Sequence, residues 1–365
     1  MISGKRARQK FTKGRLSPNA AMKQQRERAA RSPARQARVL AQAGRHVRLH
    51  EEQPKGIVLY RHFIVPCSIA IAVLGAASAN AFAAESERCQ ELSRRFQAAK
   101  PQITAMEVSL ALFSAADADC VALASELLDG GASVDARDRL GARPLSHAAR
   151  FGNLAMVDLL LARGAPIDAR NLAGATALYF AAEGGHLQVV QRLVERGADV
   201  KLSGRSGISP VAAATYAGSD QVVETLLEHG ADERAPDETG KPPIVYAAAR
   251  ARLDIVKRLL ARNVDVNARY PHDLTLLMWA SGPDEKVPEA DAIKVVTHLL
   301  DAGAQINDRD ARGRTALMIA AEGGHAELVA LLLERGADPA IKDRAGKRAA
   351  DLTTLTSLRE RLATP

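Results

Sequence analysis

The sequence predicts an all-α solenoid: helix-turn-helix repeats with a period of 33, joined by β-hairpin-like loops, about seven repeats plus a C-terminal cap. Three observations predict it. A unit of turn, short apolar helix, loop and second helix recurs at a fixed step: Gly141 to Gly174 is 33, and equal steps lead to Gly207, Gly240 and Asp273. Each unit ends on a stop such as Gly197-Ala198-Asp199, where glycine enters the left-handed region without steric cost. Aromatics are only 4% of 365 residues while hydrophobics are 47%, much of that in Ala and Leu, a composition for thin, close-packed helices. A period of this length marks stacked units that share one continuous core.

The most regular unit is Ala173–Asp199. Ala177–Ala182 reads as the short helix, Gly184-Gly185 as its break, and Leu187–Glu195 as the second helix with Leu187, Val190, Leu193 and Val194 on one face. The step from Asp273 to Gly313 is 40, so this unit is seven longer, and the excess is expected within Ser281–Asp291 as an exposed loop between its helices. That loop reads either as a partner contact or as a tolerated insertion. Gly313 to Gly346 is 33 again. Residues 104–340 are therefore expected to hold the repeats, and 341–365, with Lys347, Arg348, Arg359, Glu360 and Arg361 where inner repeats are apolar, a C-terminal cap. The first unit is degenerate: Val108 stands at the turn position, followed by Leu112, Ala115 and Ala116.

Ahead of the repeats the composition changes twice. Residues 1–57 hold fifteen Lys or Arg against Glu27, Glu51 and Glu52, a balance of +12 that leaves −4 for the rest of a chain whose total is +8. The basic character thus belongs to the leader, and the folded part is not expected to bind nucleic acid. Residues 1–57 are expected to be disordered, as a targeting or nucleic-acid arm, or to precede a true start at Val58 or Leu59. Residues 58–83 read as a secretory signal peptide: Arg61 and His62, an apolar run, and Ala81-Phe82-Ala83 as the cleavage motif, with the cut between Ala83 and Ala84. Residues 61–80 are short for a spanning helix, so cleavage implies no stable membrane insertion; the alternative is an inner-membrane anchor through that stretch. The expected location is periplasmic or secreted, and signal peptide and Ala/Arg-rich composition together point to a bacterial source. Residues 84–103 are expected to form an N-terminal capping helix. Export would place Cys89 and Cys120, with a sequence separation of 31, in an oxidising compartment where a disulfide would staple that helix to the array; the alternative is two buried thiols.

Gly141, Pro144, Leu145, Ala148, Ala149, Gly152, Leu159, Leu160, Gly164 and Ala165 follow the pattern G-x-T-P-L-H-x-A-A-x-x-G-H…L-L…G-A. Thr176, Leu178, Ala181, Ala182, Gly185 and His186 repeat it, as do Thr315, Leu317, Ala320, Ala321, Gly324 and His325. From about residue 104 to 352 the chain resembles the ankyrin-repeat family. The resemblance implies a non-enzymatic, monomeric scaffold that binds another protein through hairpin tips and the concave short-helix face. Carried over position by position, it implies partner contacts at Arg139, Arg205, Glu238, Lys241, Tyr270 and Arg312 around the hairpins, with Leu140 and Leu172 beside them. On the short helices it implies Arg150, Phe151, Tyr216 and Arg250, with Glu183. Arg and aromatics dominate interface hot spots, which favours this set.

No catalytic pattern occurs. The nine His form no HExxH or HxH spacing, the three Cys form no CxxC, and neither a G-x-S-x-G elbow nor a phosphate-binding loop is present. No catalytic residue, metal or cofactor is expected. Three non-catalytic roles remain: an exported scaffold, a cytoplasmic or host-delivered effector or adaptor, and a membrane-tethered scaffold.

Overall fold

The computed structural model describes residues 87–283 and 285–363. The leader, the signal peptide and the Ala83–Ala84 cut lie outside them. Two rows of helices stack. The inner row comprises α2 (Ala105–Asp117), α4 (Pro144–Phe151), α6 (Ala177–Glu183), α8 (Pro210–Ala217), α10 (Pro243–Ala249), α12 (Leu276–Ala280), α14 (Ala316–Gly323) and α16 (Ala349–Leu352). The outer row comprises α3 (Val121–Asp129), α5 (Leu154–Ala162), α7 (Leu187–Glu195), α9 (Asp220–Glu228), α11 (Leu253–Ala261), α13 (Glu289–Asp301) and α15 (Ala326–Glu334), and α17 (Thr356–Ala363) closes the chain. A helix over residues 87–99, α1, precedes them. Each inner helix packs on its row neighbours and on its own outer partner, and the outer helices from α3 to α15 pack in sequence. Among the described residues no helix is long and apolar enough to cross a membrane. They contain no strand beyond one antiparallel bridge, Tyr270–Leu274, so the hairpins are turns rather than β-ribbons.

The core is a ladder of single residues at the repeat period. In the outer row Leu127, Leu160, Leu193, Leu226, Leu259, Leu299 and Leu332 are all buried. Truncating one such Leu to Ala removes about 2–5 kcal/mol. The inner helices begin on side-chain caps or Pro. Thr176, Ser209, Thr275 and Thr315 accept from the backbone N–H of the third helical residue, and Pro144, Pro210 and Pro243 sit where no N–H is needed. At α2 the sequence expectation fails: Val108 is no turn, because a Thr104–Glu107 capping box starts the helix before it.

Five hairpins are organised by an Asp or Asn whose Oδ1 accepts two backbone N–H groups, from Leu140 and Ala142 for Asp138 and likewise at Asn171, Asp237, Asp310 and Asp343. The two hairpins without such a residue, opened by Gly204 and Tyr270, are the irregular ones, with Ser206 at φ 57° and His272 at φ 64°. Gly204 is required by packing: a Cβ there would meet the buried Tyr179 ring at 2.5 Å. Asn263 takes the glycine stop position at φ 60°, a conformation Asn tolerates.

The insertion is only partly a loop. Glu289–Asp301 is 13 residues against nine in the preceding outer helix, so Glu289 and Asp291 belong to the helix. Glu289 Oε1 accepts the backbone N–H groups of Glu327 and Leu328, both at 3.0 Å, and so caps α15 of the following repeat. At the N-terminal edge the Cys89 and Cys120 sulfurs are 2.04 Å apart with Cα atoms at 5.3 Å, joining α1 to the start of α3.

Candidate protein-interaction surface

Two kinds of cation stand on the two rows. On the outer row Arg163 pairs with Asp129 at 2.9 Å, Arg335 with Asp301 at 2.8 Å, Arg192 with Asp158 and Arg258 with Glu224. Each Arg reaches the preceding repeat. At the hairpin bases Arg170 donates to Ser203 O at 2.8 Å, Arg269 to Arg309 O at 2.8 Å and Arg309 to Lys342 O at 2.7 Å, again one repeat onward. These charges are structural.

The inner face differs. His147, Phe180, Tyr246 and Trp279 occupy one register of their inner helices, at the repeat period, with Ala213 between Phe180 and Tyr246. The guanidinium of Arg150 lies 4.1 Å from the Phe180 ring centroid. Lys241 Nζ is 5.6 Å from the Tyr246 ring and 5.8 Å from that of Trp279. Arg250 lies 4.7 Å over Tyr216, whose ring meets Tyr246 edge-on at 6.2 Å. Neither Arg150 nor Lys241 has a carboxylate partner among the described residues. Cation–ring contacts of this kind are worth about 0.5–1 kcal/mol when exposed. They hold the cation in place without neutralising it.

His147 departs from the pattern. It stands between Asp117 at 2.7 Å and Asp138 at 3.2 Å and stacks on Phe113. Burial opposes its charged form, but the two carboxylates prevail and raise its pKa above the usual histidine value. This histidine joins the first two repeats. His186, at the repeated Gly-His position, bridges in the same sense through Nε2 to Arg150 O at 2.8 Å.

Most of the positions implied by the family resemblance face solvent. Arg139, Arg205, Glu238 and Arg312 are exposed on hairpins, and Arg150, Phe151 and Tyr216 are exposed along the inner row, Tyr216 by 50%. Lys241 and Arg250 are half-buried beside their rings. Tyr270 is half-buried as well: it packs against the core, and burial, aided by Asp265, pushes its phenol up to about 12. The position that carries Asp or Asn in regular hairpins turns its side chain inward, and Tyr270 follows that direction. Sequence reasoning missed Phe180 and Tyr246, the seats of the cations. Their recurrence at the repeat period was the available signal.

Among the described residues no group of three or more His, Cys, Asp or Glu is placed to hold a metal. The opening on the inner face between α4 and α6 is a cleft of about 320 Å³ lined by Leu140, Arg150, Tyr179, Phe180, Glu183 and Arg205.

Comparison with known proteins agrees with this architecture. The family model described as ankyrin repeats (3 copies) matches residues 112–204, 166–237, 201–270 and 247–343. Ankyrin repeat domain-containing protein 63 of Homo sapiens is 40% identical over 81 residues, 22% of this chain and 20% of the relative, and that of Mus musculus is 38% identical over 81 residues. The chain thus spans about a fifth of the length of these curated relatives. The crystal structure of the human ASB11 ankyrin repeat domain superposes with a TM-score of 0.54 at 29% identity, covering 60% of this chain and 96% of that one. Repeat period, hairpin chemistry, two-row packing and these matches agree: the chain belongs to the ankyrin-repeat family.

Proposed function

We propose that this chain is an exported bacterial scaffold, periplasmic or secreted, that acts as a monomer and binds a partner protein through its inner face. Ankyrin repeats generally mediate binding to other proteins, and their fold is typically non-catalytic. The observation that carries the reading is the distribution of paired charge. Cations on the outer row meet carboxylates of the neighbouring repeat, whereas Arg150 and Lys241 rest on rings beside exposed Phe151 and Tyr216. Exposed aromatics with an ordered guanidinium form the usual centre of an interface. A rigid stack loses little entropy on docking. Export is supported by residues 61–83 and by two cysteines placed at disulfide distance.

The test is the protein isolated from its own cells. Export predicts an N-terminus at Ala84 and no titratable thiol. An N-terminus near Met1 with two reactive thiols overturns it and favours a cytoplasmic or host-delivered adaptor. An N-terminus upstream of residue 61 with disulfide-bonded cysteines indicates a tethered scaffold.

A further inference from the structure

We infer that the inner face takes an extended acidic segment of the partner protein, with one carboxylate seated on Arg150 above Phe180 and a bulky apolar side chain beside it on Leu140 and Leu172. This rests on the inner-face reading above and names the chemistry of its partner.

Charge gives the sign. The chain totals +8, of which residues 1–57 contribute +12 and Arg61 one more, so residues 84–365 carry −5. Against that acidic body the cleft between α4 and α6 presents Arg150 and Arg205 with a single carboxylate, Glu183. That carboxylate is already shared: Arg205 Nη2 lies 3.4 Å from Glu183 Oε1, and the Tyr179 hydroxyl donates to the same oxygen at 3.4 Å. The Arg150 guanidinium has no hydrogen-bond or ion-pair partner among the described residues, yet its plane is fixed by the Phe180 ring at 4.1 Å. A guanidinium oriented by stacking, with its N–H fork open, is a bidentate receptor for carboxylate.

The apolar part stands next to it. Leu140 and Leu172 are 62% and 81% exposed at adjacent hairpin tips, tied by a Leu172 N–H to Leu140 O bond of 2.9 Å. Phe151 is exposed on the helix behind. The cleft, about 320 Å³, has room for side chains and not for a domain edge.

A second seat sets the length. Lys241, between Tyr246 and Trp279, lies just ahead of α10, two inner helices beyond α6. Helices pack about 8–10 Å apart, so the seats are about 18 Å apart. An extended chain covers that in about five or six residues at about 3.3 Å each. The recognised segment therefore has two carboxylates five or six positions apart. A nucleic acid would carry unbroken phosphates past Glu183 in the cleft and the exposed Glu238 on the hairpin ahead of Lys241, which repel them.

The experiment presents the purified full chain to a display library of random twelve-residue peptides. Enriched peptides should carry two Asp or Glu at that spacing, with an aliphatic or aromatic residue beside one. Arg150→Glu should weaken the selected peptides at least tenfold, with unchanged circular dichroism, and replacing the matching peptide carboxylate by Lys should restore binding. Enrichment of neutral or basic peptides, indifference to Arg150→Glu, dependence on a phosphorylated residue in place of the carboxylate, or no enrichment at all each overturns the inference. If neutral peptides are enriched and lost on Tyr216→Ala, the inner-face reading stands and only the acidic partner fails. If enriched peptides ignore both substitutions, both readings fail.

Discussion

On the outer helices Arg192 meets Asp158, Arg258 meets Glu224 and Arg335 meets Asp301. On the inner face Arg150 lies over Phe180, and Lys241 lies between Tyr246 and Trp279. Both rows are built from one repeating unit, but the outer row repeats its cations, as Arg192 and Arg258 do two periods apart, whereas the inner face repeats its rings, at Phe180, Tyr246 and Trp279. The outer cations find a carboxylate one repeat back because long side chains on parallel neighbouring helices reach each other. On the inner face Arg205 and Arg314 also meet carboxylates, Glu183 and Glu322, but Arg150 and Lys241 find rings instead, since the inner helices are Ala-rich and stack closely, leaving room for flat side chains at the rim. Charge neutralised within the stack serves the stack; charge held but not neutralised is left for something else.

This contrast can be broken at several points. The largest expected effect on stability lies at the N-terminal edge, away from both rows. Replacing Cys89 and Cys120 by Ser opens a loop with a sequence separation of 31 and should lower the stability of α1 and the first repeat by about 3–4 kcal/mol. Denaturant unfolding should show it, with partner binding unchanged. A loss of binding would mean that the inner face depends on the cap.

Next in size is Glu289→Gln, which weakens the acceptor capping α15. Charged acceptors at helix N-termini contribute about 1 kcal/mol, so thermal unfolding should fall by a few degrees. If instead partner binding falls with stability unchanged, the insertion is itself a contact. His147 sharpens the comparison through pH. Its pKa is raised in the folded state, so the contact adds stability that is full below its ordinary value of 6.5 and is lost as pH rises through the raised folded value. The unfolding temperature should decline over that window in the native protein and stay level in His147→Gln. The smallest effect is expected on the outer row itself. Arg335→Ala breaks an exposed pair of the kind worth under about 1 kcal/mol, with the difference vanishing at high salt.

The repeat register, both helices of each unit, the Asn263 stop and the Cys pair could be read from residues, because periodicity and glycine chemistry act locally. The partial burial of Tyr270 was not legible, because its exposure depends on which way an irregular hairpin turns its side chain, and pattern carries no such direction. The start of α2 is misjudged at Val108 because a capping box begun at Thr104 outweighs an alignment to later repeats. The helical end of the insertion is hidden for a related reason: Glu289 is held by α15 of the next unit, far along the chain. Phe180 and Tyr246 were legible in principle. Their recurrence with His147 and Trp279 at the repeat period sits in the sequence, but only the stacked helices put Arg150 and Lys241 over them.

The central claim is that the inner face binds and the outer row holds. It is tested most directly by measuring, on the same samples, thermal unfolding and affinity for the partner recovered by cross-linking in the native cell. Arg150→Ala with Tyr216→Ala should reduce affinity at least tenfold and leave the unfolding temperature nearly unchanged. Arg163→Ala with Arg335→Ala should lower the unfolding temperature slightly and leave affinity as it was. Binding that survives the inner pair and is lost with the outer pair would contradict the claim.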